Sequence, residues 1–558
     1  MMASELDTRP GPPAVRAGPG RHRPRWAVPL LVALLLGQMA VAMVTTAVRQ
    51  TPTIDEPVYV GTAASYLHEH RLRLNPEHPP LGKLVVAVGV ALADPRYDAS
   101  FEGDQGQVGR HLLYGSGNDP WRLMLLARLP MIVLTLLFGL AVFAFARELA
   151  GPAGGLTALA LYSFSPDLIA HGSLATLDVP AAGFLLTSVW LLWRARLRPR
   201  LWLPLAGAAL GAALATRMSA LAAVPVLAGL AAASAWWAAK GTDRHGAARR
   251  AAVGAGVVLL TAVAVVWVTY LVVDPRLRWA PEQPVPAVRR LRGLAVEALP
   301  LPEAYRDGMR IQFAFENHPW QGFLFGRVYT GSLWYYLPAA LLVKTPLGML
   351  ALWAAGTVAV LAVRRLRPAA PYLLVPTAVL LAAAMQGARD FGTRYAVFVP
   401  MFLAVAAGCL TAVGHGRRAR ARTGAVTAAL TAFVAVSSLR AFPYYLPYSN
   451  EAFGGPAKTH LRLHDAAVDW GQDLGRLADR LRERYPGERV WLVYKGSGVP
   501  SFYGIDAADP RTVPARRVRG LLVVSDTSVA KATGPLAELI DTSRPIDTVG
   551  HSITIFRR

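Results

Sequence analysis

The chain has 558 residues, 54% of them hydrophobic and 17% charged, which is too apolar for an ordinary soluble domain and long enough for many membrane spans plus a separate polar domain. The formal net charge of +23 comes from basic residues clustered beside apolar runs, where membrane orientation accounts for them, so no nucleic-acid partner is expected. Cys409 is the only cysteine, and it excludes a disulfide framework or a cysteine-metal site within one chain.

Residues 1–25, rich in Pro, Gly and Arg, read as a disordered basic tail held at the cytoplasmic surface. Eleven apolar runs follow, at about 26–46, 121–145, 154–171, 179–195, 201–216, 219–238, 251–273, 346–363, 371–386, 395–413 and 425–441. The first exceeds the usual core of a signal peptide, and although Thr45-Thr46-Ala47 resembles a cleavage site, a retained anchor is the reading taken here. Arg147, Arg194 to Arg200, Lys240 to Arg250, Arg364 to Arg367 and Arg417 to Arg422 make every second loop basic. That parity predicts eleven spans with the tail in the cytoplasm and residues 442–558 outside. The membrane is separately expected to be a plasma membrane, bacterial by this reading.

Between the first two spans, residues 53–83 concentrate acids, imidazoles and bases beside the membrane. The adjacent carboxylates Asp55 and Glu56 suit a general base acting on a hydroxyl, and the rigid Pro79-Pro80 turn presents His78 and Lys83 as anion partners. Residues 81–92 are apolar but too short to span, and read as an interfacial helix. Arg128 stands near the outer end of the second span and Arg217 in the turn after the fifth; each is either an arginine reaching for the interface or a phosphate contact. Asp178 reads as an acid at a helix N-terminus or as a cavity residue, and His171 shares its base-free segment.

The long connection 274–345 is expected to roof the first loop, with Trp334, Tyr335 and Tyr336 in an interfacial belt. Its His318 and Arg327 are candidate phosphate or sugar contacts, and Lys344 and Arg394 are supporting candidates that could equally anchor helix ends. From residue 442 onward the composition becomes mixed, with helical periodicity over 464–485 and strand-like runs at 490–494 and 521–525, the pattern of a small α/β domain. Residues 26–441 thus read as the transmembrane catalytic domain and 442–558 as an extracytoplasmic one.

The segments DEPVYV, EHPPLGK, ARLPMIV, GRVYTGSLWYYLPAALLVKTPL and DWGQDL together resemble the protein O-mannosyltransferases and their bacterial relatives, across roughly residues 54–474. The resemblance implies a GT-C fold and an inverting glycosyltransferase that takes a sugar, mannose foremost, from a polyprenyl-phosphate carrier. The acceptor would be a hydroxyl of a protein or glycan. It further implies Asp55 as base, Glu56 as its acidic neighbour and Arg128 as a donor-phosphate partner. The carrier is a substrate, held partly by membrane lipid; no cofactor is predicted. Related lipid A aminoarabinose transferases use an acid and a histidine near His318, but the spacing here departs from theirs and no metal site is carried over. A transporter would instead require midplane ion pairs and related halves, neither of which the sequence displays. An idle recruiting protein is the remaining alternative. The DWGQDL segment is expected to dock the outer domain rather than perform chemistry.

Overall fold

The computed structural model describes residues 26–241, 243–281, 284–288, 291–414 and 416–558; the expected disordered tail, 1–25, lies outside them. Every one of the eleven apolar runs is helical. Among the described residues, six helices are long and apolar enough to cross a membrane, or seven if the bent pair Tyr336–Lys344 and Leu347–Ala362 counts as one. The molecule is a multi-pass membrane protein, and its helices show it inside out: Leu34, Val41, Leu137, Leu260, Val272 and Leu439 are exposed, as lipid-facing side chains would be.

Small residues set the helix contacts. Pro199–Leu214 lies so close to Arg244–Val273 that a Cβ on Gly207 or Gly211 would stand 2.6 Å from the carbonyl oxygen of Val258 or Ala262. The second and third apolar runs fold back at Gly151, within the stretch Pro120–Ser163. The bend of 118° between Tyr336–Lys344 and Leu347–Ala362 falls at Thr345 and Pro346: Thr345 is extended, as a residue before proline tends to be, and Pro346 has no amide hydrogen with which to continue the ladder.

The expected short helix is Pro80–Ala93, packed through Val86, Ala87 and Val90 with Val88 and Leu92 exposed. The 274–345 connection does lie on the first loop: Gln312 donates to the carbonyl of Glu77 at 3.0 Å, and Gly308 abuts the carbonyl of Pro76. Of the expected aromatic belt, Trp334 and Tyr335 are exposed, whereas Tyr336 is fully buried and its hydroxyl accepts from the Gly392 amide at 3.0 Å.

At the C-terminal end a five-stranded sheet runs in the order Ala507–Ala508, Val490–Val493, Leu521–Ser525, Ile553–Arg557, Arg544–Val549, parallel across the first three and antiparallel after. Both central strands are buried on both faces, which is why their sequences are continuous apolar runs. Leu474, Leu477, Ala478 and Leu481, on one stripe of the helix Leu474–Arg484, cover one face. The helical periodicity expected over 464–485 holds only from Leu474. Upstream, Trp470 and Gln472 give their carbonyls to another part of the chain and Gly471 takes a φ of +89°, so residues 469–473 form an irregular strap. Tyr445, Leu446, Leu463 and Ala466 to Trp470 pack in the hydrophobic core of the helical region.

Candidate active site

Asp55 and Glu56 open the helix Glu56–His68, and their side chains part at once. Successive residues on a helix point about 100° apart, so one can face inward while the other faces a cleft. The Glu56 carboxylate is fully buried: Oε1 accepts from Arg128 Nε at 2.7 Å and from the Ala175 amide at 2.8 Å, and Oε2 accepts from Arg128 Nη2 at 2.6 Å and from the amide and hydroxyl of Thr53 at 2.9 and 3.0 Å. Burial alone would raise its pKa, but the Arg128 charge and these bonds hold it below the ordinary glutamate value. Arg128, equally buried, also donates to the carbonyls of Ala47, Gln50 and Thr51. All of its nitrogens are engaged within the protein.

Asp55 is the accessible partner, its side chain 27% exposed. Arg394 Nη1 donates to its Oδ2 at 2.6 Å, and Arg394 Nη2 donates to the Tyr395 hydroxyl at 3.1 Å. Tyr395 lies between two cations, with the Arg394 guanidinium 5.0 Å and that of Arg217 5.3 Å from its ring centre. Arg217 in turn pairs with Asp178. Asp178 occupies the first turn of Asp178–Ala195, as the capping reading expected, but makes no cap bond; its partner is Arg217.

Arg389 completes this group. It is anchored to Gln312 at 2.8 Å and Glu316 at 3.1 Å, in a loop further pinned by Asp390, which accepts from the Tyr329 hydroxyl at 2.7 Å. His78 faces the same charges: burial first, then Arg217, Lys83, Arg389 and Arg394, depress its imidazole well below the usual range, and its Nδ1 has no hydrogen-bond partner among the described residues. Its ring meets the edge of Tyr59 at 5.8 Å. The result is a cluster of a half-open carboxylate, three guanidiniums and an imidazole, suited to a phosphate ester on one side and a hydroxyl nucleophile on the other.

The other expected residues lie elsewhere. Lys83 is buried and donates to the carbonyls of Asn75 and His78 at 2.8 and 2.6 Å, bracing the turn that carries His78. Lys344 is buried against Asp167 at 3.5 Å and donates to the carbonyls of Leu446 and Ala467. His318 is exposed and touches Trp320, while Arg327 is exposed at the edge of the hairpin formed by Gln321–Leu324 and Arg327–Thr330, without an ion-pair partner among the described residues. Arg389 and Tyr395 escaped the sequence reading. Their signal was the run GARDFGTRY, in which two arginines stand in a connection that should be poor in bases.

Residues 32–274 match the family model described as PMT, dolichyl-phosphate-mannose-protein mannosyltransferase. The chain carries a PMT-family domain. The PMT-family domain holds Asp55, Glu56, His78, Lys83, Arg128, Asp178 and Arg217, whereas Arg389, Arg394 and Tyr395 come from beyond it. No curated protein matches the chain. Among solved structures, ArnT from Cupriavidus metallidurans bound to undecaprenyl phosphate is 16% identical, with 95% of this chain and 97% of that one covered at a TM-score of 0.47. The protein O-mannosyltransferase complex Pmt1-Pmt2 of S. cerevisiae, bound to its sugar donor, is 19% identical over 45% of this chain and 33% of that one, at 0.35. The oligosaccharyltransferase AglB of Archaeoglobus fulgidus, in complex with an inhibitory peptide and a dolichol-phosphate, is 11% identical over 83% and 59%, at 0.46.

Proposed function

We propose that the protein transfers a sugar, mannose being the first candidate, from a polyprenyl-phosphate carrier to a hydroxyl of a protein or glycan at the outer face of a plasma membrane. The observation that carries this reading is the split of the acidic pair: Asp55 half-open beside Arg394, and Glu56 sealed onto Arg128. In this mechanism Asp55 accepts the proton of the acceptor hydroxyl. The hydroxyl oxygen bonds to the anomeric carbon, the bond from that carbon to the phosphate oxygen breaks, and its electron pair leaves with the lipid phosphate. A single displacement inverts the anomeric centre. Arg217, Arg389 and the His78 ring stabilise the charge developing on the phosphate, while the carrier's tail remains in lipid, where each buried methylene contributes about 0.8 kcal/mol.

Within this reading Glu56 and Arg128 hold the loop that presents Asp55, and Arg128 does not take the phosphate-contact role implied by the resemblance. Lys83 orients His78, Asp178 orients Arg217, and Lys344 ties the chain near residue 467 to the helical region. His318 and Arg327 stand apart from the donor pocket.

Membranes containing the protein should consume radiolabelled polyprenyl-phosphate mannose and release polyprenyl phosphate as label enters an acceptor. If no polyprenyl-phosphate sugar is consumed across acceptor pools, the reading is lost. The alternating basic loops supply the orientation, and a reporter active only outside the cytoplasm should be active when fused after Arg558. Activity of a cytoplasmic reporter at that position would mean that the number of crossings is even.

A further inference from the structure

The base loop is tied to the C-terminal region by bonds that the catalytic reading does not use. The Ile54 amide donates to the Trp470 carbonyl at 3.0 Å and the Thr51 amide to the Gln472 carbonyl at 3.0 Å. The Thr51 hydroxyl donates to the Gly471 carbonyl at 3.2 Å and accepts from the Leu474 amide at 3.2 Å. From the sheet domain, the Ser497 hydroxyl donates to the Thr53 carbonyl at 2.9 Å. The residues just before Asp55 are therefore paired with the strap 469–474, more than 400 residues later in the chain.

The strap also reaches the pair itself. The Arg394 guanidinium lies 4.5 Å from the centre of the Trp470 ring, and His171 meets that ring edge-on at 6.1 Å. Trp470 is 1% exposed, so it cannot receive a ligand in this arrangement. A long arginine side chain at a half-open site has many rotamers, and an aromatic face beneath the guanidinium selects among them. Arg394, so fixed, sets the direction of the Asp55 carboxylate it binds.

We propose that Trp470 is a positioning residue for Asp55, acting through Arg394, and that the strap 469–474 makes the C-terminal region part of the catalytic apparatus. This rests on Asp55 being the base. The acids of the strap do not contact an acceptor: Asp469 and Asp473 are buried, and Asp469 accepts from the amides of Gly471 and Thr527, each at 3.3 Å.

The strap is sensitive at a position remote from the chemistry. A Cβ on Gly471 would stand 2.7 Å from the Gly496 Cα, and its φ of +89° disfavours any side chain, so Gly471→Ala shifts the strap while leaving the side chains of Asp55, Arg394 and Trp470 chemically unchanged.

The full-length protein is tested in two independent ways. In steady-state transfer, Trp470→Leu should lower kcat by about 10- to 100-fold with the donor KM within about 3-fold, the pattern of a misplaced reacting group, while Trp470→Phe, which keeps an aromatic face, should stay within about 3-fold of the parent. Equal kcat in the two variants overturns the aromatic positioning role. In amide hydrogen exchange, which requires no substrate, Gly471→Ala should speed exchange at Thr51 and Ile54 by at least about 10-fold while helix Glu56–His68 keeps its protection. Unchanged exchange there overturns the strap even if the variant is less active. A parent protein that transfers no sugar condemns the donor assignment, and the exchange result still decides whether the strap holds the loop.

Discussion

Asp55→Asn should lower sugar transfer by about 10² to 10⁴, the usual span for loss of a general base. The substitution keeps the shape of the side chain and an oxygen that can accept from Arg394, now 2.6 Å from Oδ2, but removes the group that takes the acceptor proton. Donor binding should change little, because the phosphate in this reading meets Arg217, Arg389 and His78 rather than Asp55. Equilibrium binding of the donor and single-turnover transfer, measured separately on folded protein, distinguish the two effects. A variant that binds donor and transfers at the parental rate removes Asp55 from the mechanism. Glu56 would be a poor substitute, because its two oxygens already accept five hydrogen bonds in a fully buried setting.

Arg128→Ala should fail in a different way, by destabilising the protein. It leaves the Glu56 carboxylate buried with its principal partner gone, and breaking one side of a buried ion pair costs about 3–5 kcal/mol. The carbonyls of Ala47, Gln50 and Thr51 lose their donor as well. The expected result is a lower apparent unfolding temperature in detergent and a reduced yield of monodisperse protein. The paired change Arg128→Met with Glu56→Leu should recover part of the loss, since an apolar pair of similar volume leaves no charge unmatched. Unaltered thermal stability together with weakened donor binding would return Arg128 to the phosphate.

The comparison between these two variants shows where one-dimensional information stops. Asp55 and Glu56 are neighbours of like charge, and nothing in their sequence context says which turns inward. The answer came from Arg128 and the Ala175 amide, which seal Glu56, and from Arg394, which holds Asp55 at the cleft. Lys83 and Lys344 were legible as cations beside a membrane, but their engagement by carbonyls of Asn75, His78, Leu446 and Ala467 was not. Conversely, the helical periodicity through 464–473 was real in the sequence and was overridden by pairing with residues 51–54.

The sequence by itself determined the apolar runs and their helical character, the strand-like segments 490–494 and 521–525, and the candidate acidic pair, because apolarity, alternation and motif order are local properties of the chain. Tertiary structure alone decided which carboxylate is accessible, that Arg217, Arg389 and Arg394 are brought together, and that Trp470 lies against the arginine holding Asp55. Burial and charge pairing depend on which distant segments meet, and a buried ion is tolerated only where those segments supply its partners.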